Sequence, residues 1–396
     1  MEIEEGVLRL RRRYLHSIFI CLLILALMAG CSDNSNTDVA IDDEVEDVGE
    51  EAEEGIPSLR IAYTYSNHHA PLIVAAAKNN GFQDEEVYLE EIVEGDKYGL
   101  ISKEEKICNI ELVPVRDGDE GMALLAERNA DLSFSSMEFP LKVMDKGKDI
   151  KIISPISMDG LALVMKQDIP VEGVEGFMEY IREQEEPISI GYHAPSTIPR
   201  ILFEAAIGER AVTITEDPNR KDKDILLVDL KGTANLIPSL QSEQVVDGWI
   251  GPSPFPELAE AEEAGKIVFD IRELNPMGRW SKFPYAVISA TEDAIENYHD
   301  EITEFFKLLS IAIGYIDENR EEAGGLVADW IGMSQEAAVN STVCYSMEIS
   351  QEWFDNVDVL LRHLHNSKEL TGELGDGQLD NIRSNIFYFA FVLNSQ

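Results

Sequence analysis

Short apolar runs alternate with helical patterns along residues 59–289 of the chain. Apolar runs of this length, bounded by turn residues, are typical of buried strands, whereas apolar positions three and four residues apart indicate helices. Strands are predicted over residues 59–63, 110–115, 131–134, 150–153, 161–165, 188–192, 225–230, 245–250, 267–271 and 285–289. Helices are predicted over residues 72–80, 122–128, 139–146, 199–207 and 258–264. The alternation predicts an α/β fold.

The pattern changes after residue 289. Apolar residues then recur at helical spacing, and no further strand is expected before the end of the chain. The first of these helical patterns contains Ile302, Phe305, Phe306, Leu309, Ile313 and Ile316. Residues 81–109 show no clear pattern and are expected to be an insertion. The chain is thus predicted to end in a helical C-terminal extension.

The charge of the chain excludes one class of partner. Its 396 residues include 32 Lys and Arg but 75 Asp and Glu, a formal charge of −43. Binding of a nucleic-acid backbone needs clustered basic residues, so no nucleic-acid partner is expected. The length exceeds one typical core and predicts about two lobes. The four cysteines form no C-x-x-C pair, so neither a disulfide scaffold nor a cysteine metal site is expected.

The N-terminus has the pattern of a secretory signal. Basic residues at 9–13 precede an apolar run at 18–28 and the small residues before Cys31. Residues 27–31 resemble a lipobox, which implies that residues 1–30 are removed and that Cys31 carries the lipid anchor. An uncleaved N-terminal anchor is the alternative. Residues 31–57 are rich in acids and lack Lys and Arg, which predicts a disordered tether rather than a calcium site, because the EF-hand pattern is missing.

Four strand ends run into small polar residues and a proline. Proline suits the first turn of a helix, and the free N–H groups of such a turn can hold a small anion. Capping alone is the simpler interpretation of any single turn. Ser135 and Glu138 also fit an S-x-x-E capping box. The four turns occupy residues 65–71, 135–140, 193–199 and 251–254.

Candidate ligand-binding residues come from these turns and from two tryptophans. His68 and His69 are adjacent, so at most one is expected to face a ligand, and a joint metal site is not predicted. Trp249 and Trp280 are either core or cleft residues. The candidate set is Tyr65, Ser66, Asn67, His68, His69, Ser135, Ser136, Met137, Ser196, Thr197, Trp249, Gly251 and Trp280.

Several segments resemble the SsuA/THI5-like (NMT1-like) solute-binding proteins of ABC importers. They include residues 59–63 with 67–72, 130–135 with 146–153, 190–192 with Ser196, and 247–252 with 256–259. The resemblance implies a type II periplasmic-binding-protein fold with two α/β lobes joined by crossing strands at 161–165 and 285–289. It assigns residues 58–160 to lobe 1, 161–284 to lobe 2, and 285–396 to the return to lobe 1 and the C-terminal helices.

The function implied by the resemblance is capture of a small solute between the lobes. The free helix starts favour an anionic solute, and the acidic body of the chain also allows a zwitterion or an aromatic amine. The partners implied by the resemblance would be an ABC permease and its ATPase. The protein would lie outside the cytoplasm, held at the cell membrane by lipid on Cys31. No catalytic residue, cofactor or metal is expected. The alternatives are an exported sensory or binding module and an enzyme of the same fold, of the pyrimidine or menaquinone biosynthesis type.

Overall fold

Two mixed β-sheets with helices packed against them form the described part of the chain. The computed structural model describes residues 55–242, 245–375 and 378–394. The expected signal sequence, Cys31 and the acidic tether up to residue 54 lie outside the described residues.

The first sheet has seven strands and brings two of the expected turns to one edge. Its strand order is β2-β3-β4-β1-β5-β14-β6, with bounds β1 (Ser58–Tyr63), β2 (Val87–Val93), β3 (Lys97–Ser102), β4 (Glu105–Pro114), β5 (Leu132–Ser136), β6 (Ile150–Pro155) and β14 (Ala286–Thr291). Strand β1 is parallel to β4 and β5, whereas β14 is antiparallel to β5 and β6. The residues that follow β1 and β5 therefore lie at the same edge of the sheet.

Most of residues 81–109 belong to strands of this sheet, so the expectation that this segment has no regular pattern was wrong. Strands β2, β3 and β4 pair as an antiparallel meander that extends the sheet beyond β1. An antiparallel strand usually shows alternating apolar and polar residues. Strand β3 lacks this alternation because all of its residues but the first are buried.

The second sheet has six strands. Its order is β10-β11-β9-β12-β8-β13, with bounds β8 (Leu161–Met165), β9 (Ile188–Tyr192), β10 (Ile214–Thr215), β11 (Ile225–Asp229), β12 (Gly248–Pro252) and β13 (Lys266–Asp270). Strands β9, β11 and β12 are parallel, and β8 is antiparallel to β12 and β13. We refer to each sheet with its helices as the first and the second lobe.

The chain crosses between the sheets in two passes that pair with each other. Strand β7 (Ser157–Asp159) follows β6, and residues 283–285 precede β14. The N–H of Asp159 donates to the carbonyl of Phe283, and the N–H of Tyr285 donates to that of Ser157, both at 3.1 Å. The crossing was expected at residues 161–165 and 285–289. Both crossing segments lie earlier in the chain than expected, because β8 pairs within the second sheet and β14 pairs within the first.

Helices cover the sheets because their apolar stripes face inward. The described helices are α1 (Ala70–Lys78), α2 (Gly118–Ala126), α3 (Glu138–Asp145), α4 (Gly173–Glu183), α5 (Ile198–Gly208), α6 (Leu236–Gln241), α7 (Phe255–Ala261), α8 (Glu292–Asn297), α9 (His299–Glu318), α10 (Arg320–Ile331), α11 (Gln335–Val339), α12 (Gln351–Asn366), α13 (Leu379–Ile386) and α14 (Ala390–Asn394). The N-cap of α3 is Met137. The predicted capping box of Ser135 and Glu138 does not form, since Ser135 still belongs to β5.

The C-terminal region contains a strand where only helices were expected. Strand β15 (Val343–Tyr345) pairs antiparallel with β7, the first crossing pass. We call residues 334–345, which contain α11 and β15, the strap. Helix α11 packs against α10, which packs on α1 of the first lobe, and also against α7 of the second lobe. The strap therefore contacts both lobes and the crossing between them.

Candidate functional site

The turn after β1 lies buried at the junction of the lobes. Asn67, His68 and His69 form a single 3-10 turn that leads into α1, where Pro71 occupies the first turn. The hydroxyl of Ser66 accepts a hydrogen bond from the N–H of His68 at 3.2 Å, which fixes the start of the turn. All three residues of the turn are buried.

Asn67 joins the first lobe to the second lobe and to the strap. Its Nδ2 donates to Ser253 Oγ at 3.1 Å, and its carbonyl accepts from the hydroxyl of Tyr345 at 2.8 Å. Ser253 Oγ lies 3.0 Å from the hydroxyl of Ser341 in the strap. The Oδ1 of Asn67 is buried and has no hydrogen-bond partner among the described residues.

The two adjacent histidines have different neighbours. His68 stacks on Tyr285 with ring centroids 3.7 Å apart, and its Nδ1 lies 3.1 Å from Ser157 Oγ. His69 lies against Thr64, with Nδ1 3.1 Å from the Thr64 carbonyl. Burial lowers the pKa of His68 well below its usual value and that of His69 to about 4, so both rings are neutral at pH 7. His68 Nε2 is buried without a partner in the part of the chain that the structure describes.

The end of β5 meets the same tyrosine. The hydroxyl of Tyr285 lies near the side chain of Ser136, which lowers the pKa of the phenol against the larger effect of burial, and the Tyr285 carbonyl accepts from the N–H of Met137 at 2.8 Å. Glu138 follows directly and is 2% exposed. Burial raises the pKa of its carboxyl to about 7. The hydroxyl of Ser135 is buried, and no described residue is bonded to it.

The second lobe contributes the turn before α5. Ser196 adopts a left-handed backbone with φ of 57°, and the Thr197 hydroxyl donates to the Ala194 carbonyl at 2.8 Å. These local contacts set the start of α5 at Ile198, whose backbone N–H lies close enough to the carboxyl of Glu138 to lower its pKa against the larger effect of burial. Burial lowers the pKa of His193 in the same turn to about 4. The turn after β5 and the turn before α5 therefore meet across the junction.

A second buried carboxyl lies where β12 ends. Glu257 in α7 lies near the side chain of Ser253 and the backbone N–H of Thr342 in the strap, both of which lower the pKa of its carboxyl. Burial raises its pKa to about 7, and its Oε2 has no partner among the residues with described positions. The Thr342 hydroxyl donates to Asp270 at 2.9 Å. The strap is thus bonded to polar groups of the second lobe as well as to Asn67.

Four of the predicted ligand-binding residues lie outside this junction or only partly within it. Trp249 is fully buried in an apolar cluster of the second lobe with Leu236 and Leu240, and its ring packs over Gly251. Trp280 is buried with the guanidinium of Arg279 stacked on it at 4.6 Å. Tyr65 is 45% exposed and packs edge-on against Tyr63.

Several junction residues were not in the predicted set. Glu138 had a sequence signal, but the S-x-x-E pattern assigned its carboxyl to a cap. Ser253 lies in a predicted turn, but Gly251 was chosen from that turn as the candidate ligand-binding residue. The residues that only the tertiary structure brings here are Ser157, Glu257, Tyr285, Ser341 and Tyr345.

A cavity of about 100 Å³ lies between Asn67 and the strap. Its walls come from the start of α1, from α9 and α10, and from strap residues including Ser341 and Tyr345. A space of this size holds a few water molecules or a small polar group.

The described part of the chain contains neither a membrane-spanning helix nor a cluster of metal ligands. Within residues 55–242, 245–375 and 378–394, no helix combines the length and the apolar character needed to cross a membrane. In the same ranges, no group of three or more His, Cys, Asp or Glu side chains is placed to hold a metal ion.

Solved structures share this fold at low sequence identity. The ligand-binding component of an ABC-type import system from Staphylococcus aureus, solved with zinc bound, is 13% identical and has a TM-score of 0.61, covering 86% of this chain and 99% of that one. The aliphatic sulphonate-binding protein SsuA of Escherichia coli is 14% identical with a TM-score of 0.59, covering 84% and 97%. The nitrate-binding protein NrtA of Synechocystis is 13% identical with a TM-score of 0.59, covering 86% and 88%. The fold is that of the periplasmic binding proteins, as the sequence predicted.

Sequence comparison places the chain in a family. An uncharacterized protein of Methanocaldococcus jannaschii is 27% identical over 154 residues, which are 38% of this chain and 94% of that protein. The model of the NMT1-like family matches residues 52–332, which contain both sheets. The match ends before the strap begins. The resemblance seen in the sequence is confirmed, and the chain belongs to the NMT1-like family.

Proposed function

We propose that this protein is the solute-binding component of an ABC importer and binds a small solute between its two lobes. The observation that carries the proposal is a set of buried polar atoms at the junction, from both lobes, that have no partner among the described residues: Asn67 Oδ1, His68 Nε2, Glu138 Oε2 and Glu257 Oε2. Leaving such atoms unpaired costs about 1–3 kcal/mol each. A solute that bonds to them would stabilise the closed arrangement.

Closure on a solute is a shift between two populations. The open form exposes the junction to water, which satisfies the polar atoms, and the closed form requires the solute to do so. The solute therefore binds the closed form more tightly, and this difference supplies the free energy of closure. The names of the structural neighbours, binding components of import systems, support this function over an enzymatic one.

A thermal-shift screen of the full chain, purified in detergent, tests solute binding. The solutes are nitrate, sulfonates, taurine, pyrimidines and amino acids. A solute at 100 times its Kd stabilises the folded state by about 2.7 kcal/mol, which raises the melting temperature measurably. If no solute raises the melting temperature, the importer function is contradicted and a sensory or structural role is favoured.

We propose further that lipid on Cys31 holds the protein at the outer side of the membrane, where a permease and its ATPase receive the solute. The pattern of residues 9–31 supports this. Labelling of cells with radioactive palmitate tests it. Cys31→Ser should abolish labelling, whereas the control Cys21→Ser, inside the apolar run, should keep it. Equal labelling of both variants would contradict the anchor.

A further inference from the structure

The strap is fastened to the first lobe by polar and apolar contacts. Arg320, the first residue of α10, donates from Nε to the Val339 carbonyl at 2.8 Å and from Nη2 to the Ser341 carbonyl at 2.6 Å. Helices α10 and α11 approach each other closely at Gly324, where a Cβ atom would lie 2.5 Å from Val339 Cγ2. Because α10 packs on α1, we expect the strap to move with the first lobe.

Two adjacent hydroxyl groups of the strap bond to the second lobe. The Thr342 hydroxyl donates to Asp270 Oδ2 at 2.9 Å. The Ser341 hydroxyl lies 3.0 Å from Ser253 Oγ. Asp270 is the last residue of β13, Ser253 follows β12, and both are buried. The strap therefore bonds to the ends of two strands of the second sheet.

The strap also covers the point where the chain crosses between the lobes. Asp159 and Gly160, at the end of the first crossing pass, have left-handed backbones with φ of 63° and 68°. Val343 of the strap pairs with Asp159 and packs directly on Gly160, where a Cβ atom would lie 2.5 Å from Val343 Cγ2. Glycine permits this approach because it has no Cβ atom. A rotation of the second lobe about this point would pull its polar groups away from the strap.

Opening of the lobes must break the contacts on one side of the strap. The strap continues directly from α10, so its connection to the first lobe is covalent and cannot break. The bonds lost on opening are therefore those of Thr342 and Ser341, together with the direct bond between Asn67 and Ser253. Each such bond changes the ratio of closed to open molecules by about fivefold.

We propose that the strap is a latch, fixed to the first lobe, that holds the lobes closed and must release the second lobe before the junction is exposed to water. The cavity beside Asn67 has Ser341 and Tyr345 of the strap in its wall, so release of the strap also opens this cavity. The part of this inference that concerns solute entry and exit rests on the proposed function. Closure of the lobes by the strap does not.

Hydrogen exchange of the solute-free full chain in detergent tests the latch. The Ser346 amide, which donates to the Ile156 carbonyl, reports release of the strap. The His69 amide, which donates to the Ser66 carbonyl, reports exposure of the junction. Thr342→Val keeps the shape of the side chain and removes its donor to the second lobe. We expect both amides to exchange about fivefold faster, because a latch exposes the junction only when it releases.

Thr213→Val is the matched control. The Thr213 hydroxyl also donates to a carboxylate, that of Asp224 at 2.7 Å, but within the second lobe. It should leave both reporter amides unchanged. Faster exchange of Ser346 alone in Thr342→Val, or of neither amide, overturns the latch, because the lobes then open independently of this bond. Equal acceleration by the control also overturns it, because the effect is then a loss of overall stability.

A reversible disulfide tests the latch independently and decides the question if Thr342→Val does not fold. Ser253→Cys and Ser341→Cys place two thiols where the hydroxyl oxygens lie 3.0 Å apart, and Cys344→Ser removes the exposed thiol nearby. We expect oxidation to slow exchange of the His69 amide by at least about tenfold relative to the reduced protein. The Asp224 amide, in the exposed turn of the second lobe, should exchange equally in both forms. Equal exchange of His69 in both forms overturns the latch.

These outcomes separate the latch from the proposed function. None of the exchange measurements uses a solute, so failure of the latch leaves the solute screen to decide whether the protein binds one. If both reporter amides respond as expected but the screen finds no solute, the latch stands as a device that closes the lobes and its role in solute exchange is refuted.

Discussion

Asn67 and Ser253 hydrogen-bond to each other across the two lobes. Asn67 Nδ2 lies 3.1 Å from Ser253 Oγ, and both side chains are buried. Asn67 precedes the first helix of the first lobe, and Ser253 follows a central strand of the second. Because the two residues belong to different lobes, this bond exists only in the closed arrangement, and its loss measures opening.

Ser253→Ala should shift the solute-free protein toward the open form. The substitution removes the bond from Asn67 and also the contact of Ser253 Oγ with the Ser341 hydroxyl. The bond from Asn67 alone is worth about 1 kcal/mol, so the ratio of closed to open molecules should change by roughly fivefold or more. Small-angle X-ray scattering should show a larger radius of gyration. The control is Ser239→Ala, since Ser239 donates to the Leu236 carbonyl inside the second lobe. An unchanged radius for Ser253→Ala would show that this bond does not hold the lobes together.

Ionisation of Glu138 should make stability depend on pH. Burial raises the pKa of the folded state from 4.5 to about 7, so between these values the folded protein binds more protons than the unfolded chain. The free energy of unfolding should therefore fall as pH rises from 4.5 to 7, by roughly 2 kcal/mol from this group. Glu138→Gln cannot ionise and should lose this part of the pH dependence.

Urea unfolding of the wild type and of Glu138→Gln at pH 5 and pH 8 measures this difference. Burial lowers the pKa of His193, so its contribution runs in the opposite direction, but it is the same in both proteins and cancels in the comparison. Parallel pH profiles for the two proteins would mean that the Glu138 carboxyl is not buried in solution.

Tyr345→Phe should loosen the turn after β1. The substitution removes the phenol that donates to the Asn67 carbonyl at 2.8 Å and keeps the ring. Hydrogen exchange of the His69 amide, which donates to the Ser66 carbonyl, should quicken about fivefold, as expected for the loss of about 1 kcal/mol. Tyr180→Phe, on a partly exposed face of α4, serves as the control. Equal exchange in both variants would argue that the strap does not hold this turn.

Asp145→Ala should destabilise the whole fold. The carboxylate at the end of α3 accepts hydrogen bonds from the backbone N–H groups of Thr371, Gly372 and Leu374 at 2.8–3.0 Å. Alanine leaves these donors without a partner, at a cost of about 3 kcal/mol in the free energy of unfolding. Chemical denaturation measures the change, with the exposed Asp119→Ala as the control. A loss below about 1 kcal/mol would show that water replaces the carboxylate.

The alternation of strands and helices could be predicted because most strands are short apolar runs. The prediction failed where burial hides the alternation of apolar and polar residues, as in β3, and where a strand has only three residues, as in β7 and β15. A strand such as β15 exists because it pairs with β7, a contact between segments far apart in the chain. Such a contact has no local sequence signal.

Only those parts of the candidate site that are formed by residues adjacent in sequence could be predicted. The residues 65–69 and 135–137 were selected because a strand, polar residues and a helix start follow one another in sequence. The role of Asn67 depends on Ser253 and Tyr345, which are partners from other parts of the chain. The position of Trp249 could not be predicted, because an aromatic residue within an apolar strand has the same sequence pattern whether it lies in a core or in a cleft.

The position of the strap affects how this protein can be divided for study. A fragment cut at residue 332, where the family match ends, would lose Ser341 and Tyr345 and with them one wall of the cavity beside Asn67. Affinities measured on such a fragment would describe a more open molecule than the cell makes. A domain boundary taken from the family match alone would therefore omit part of this site.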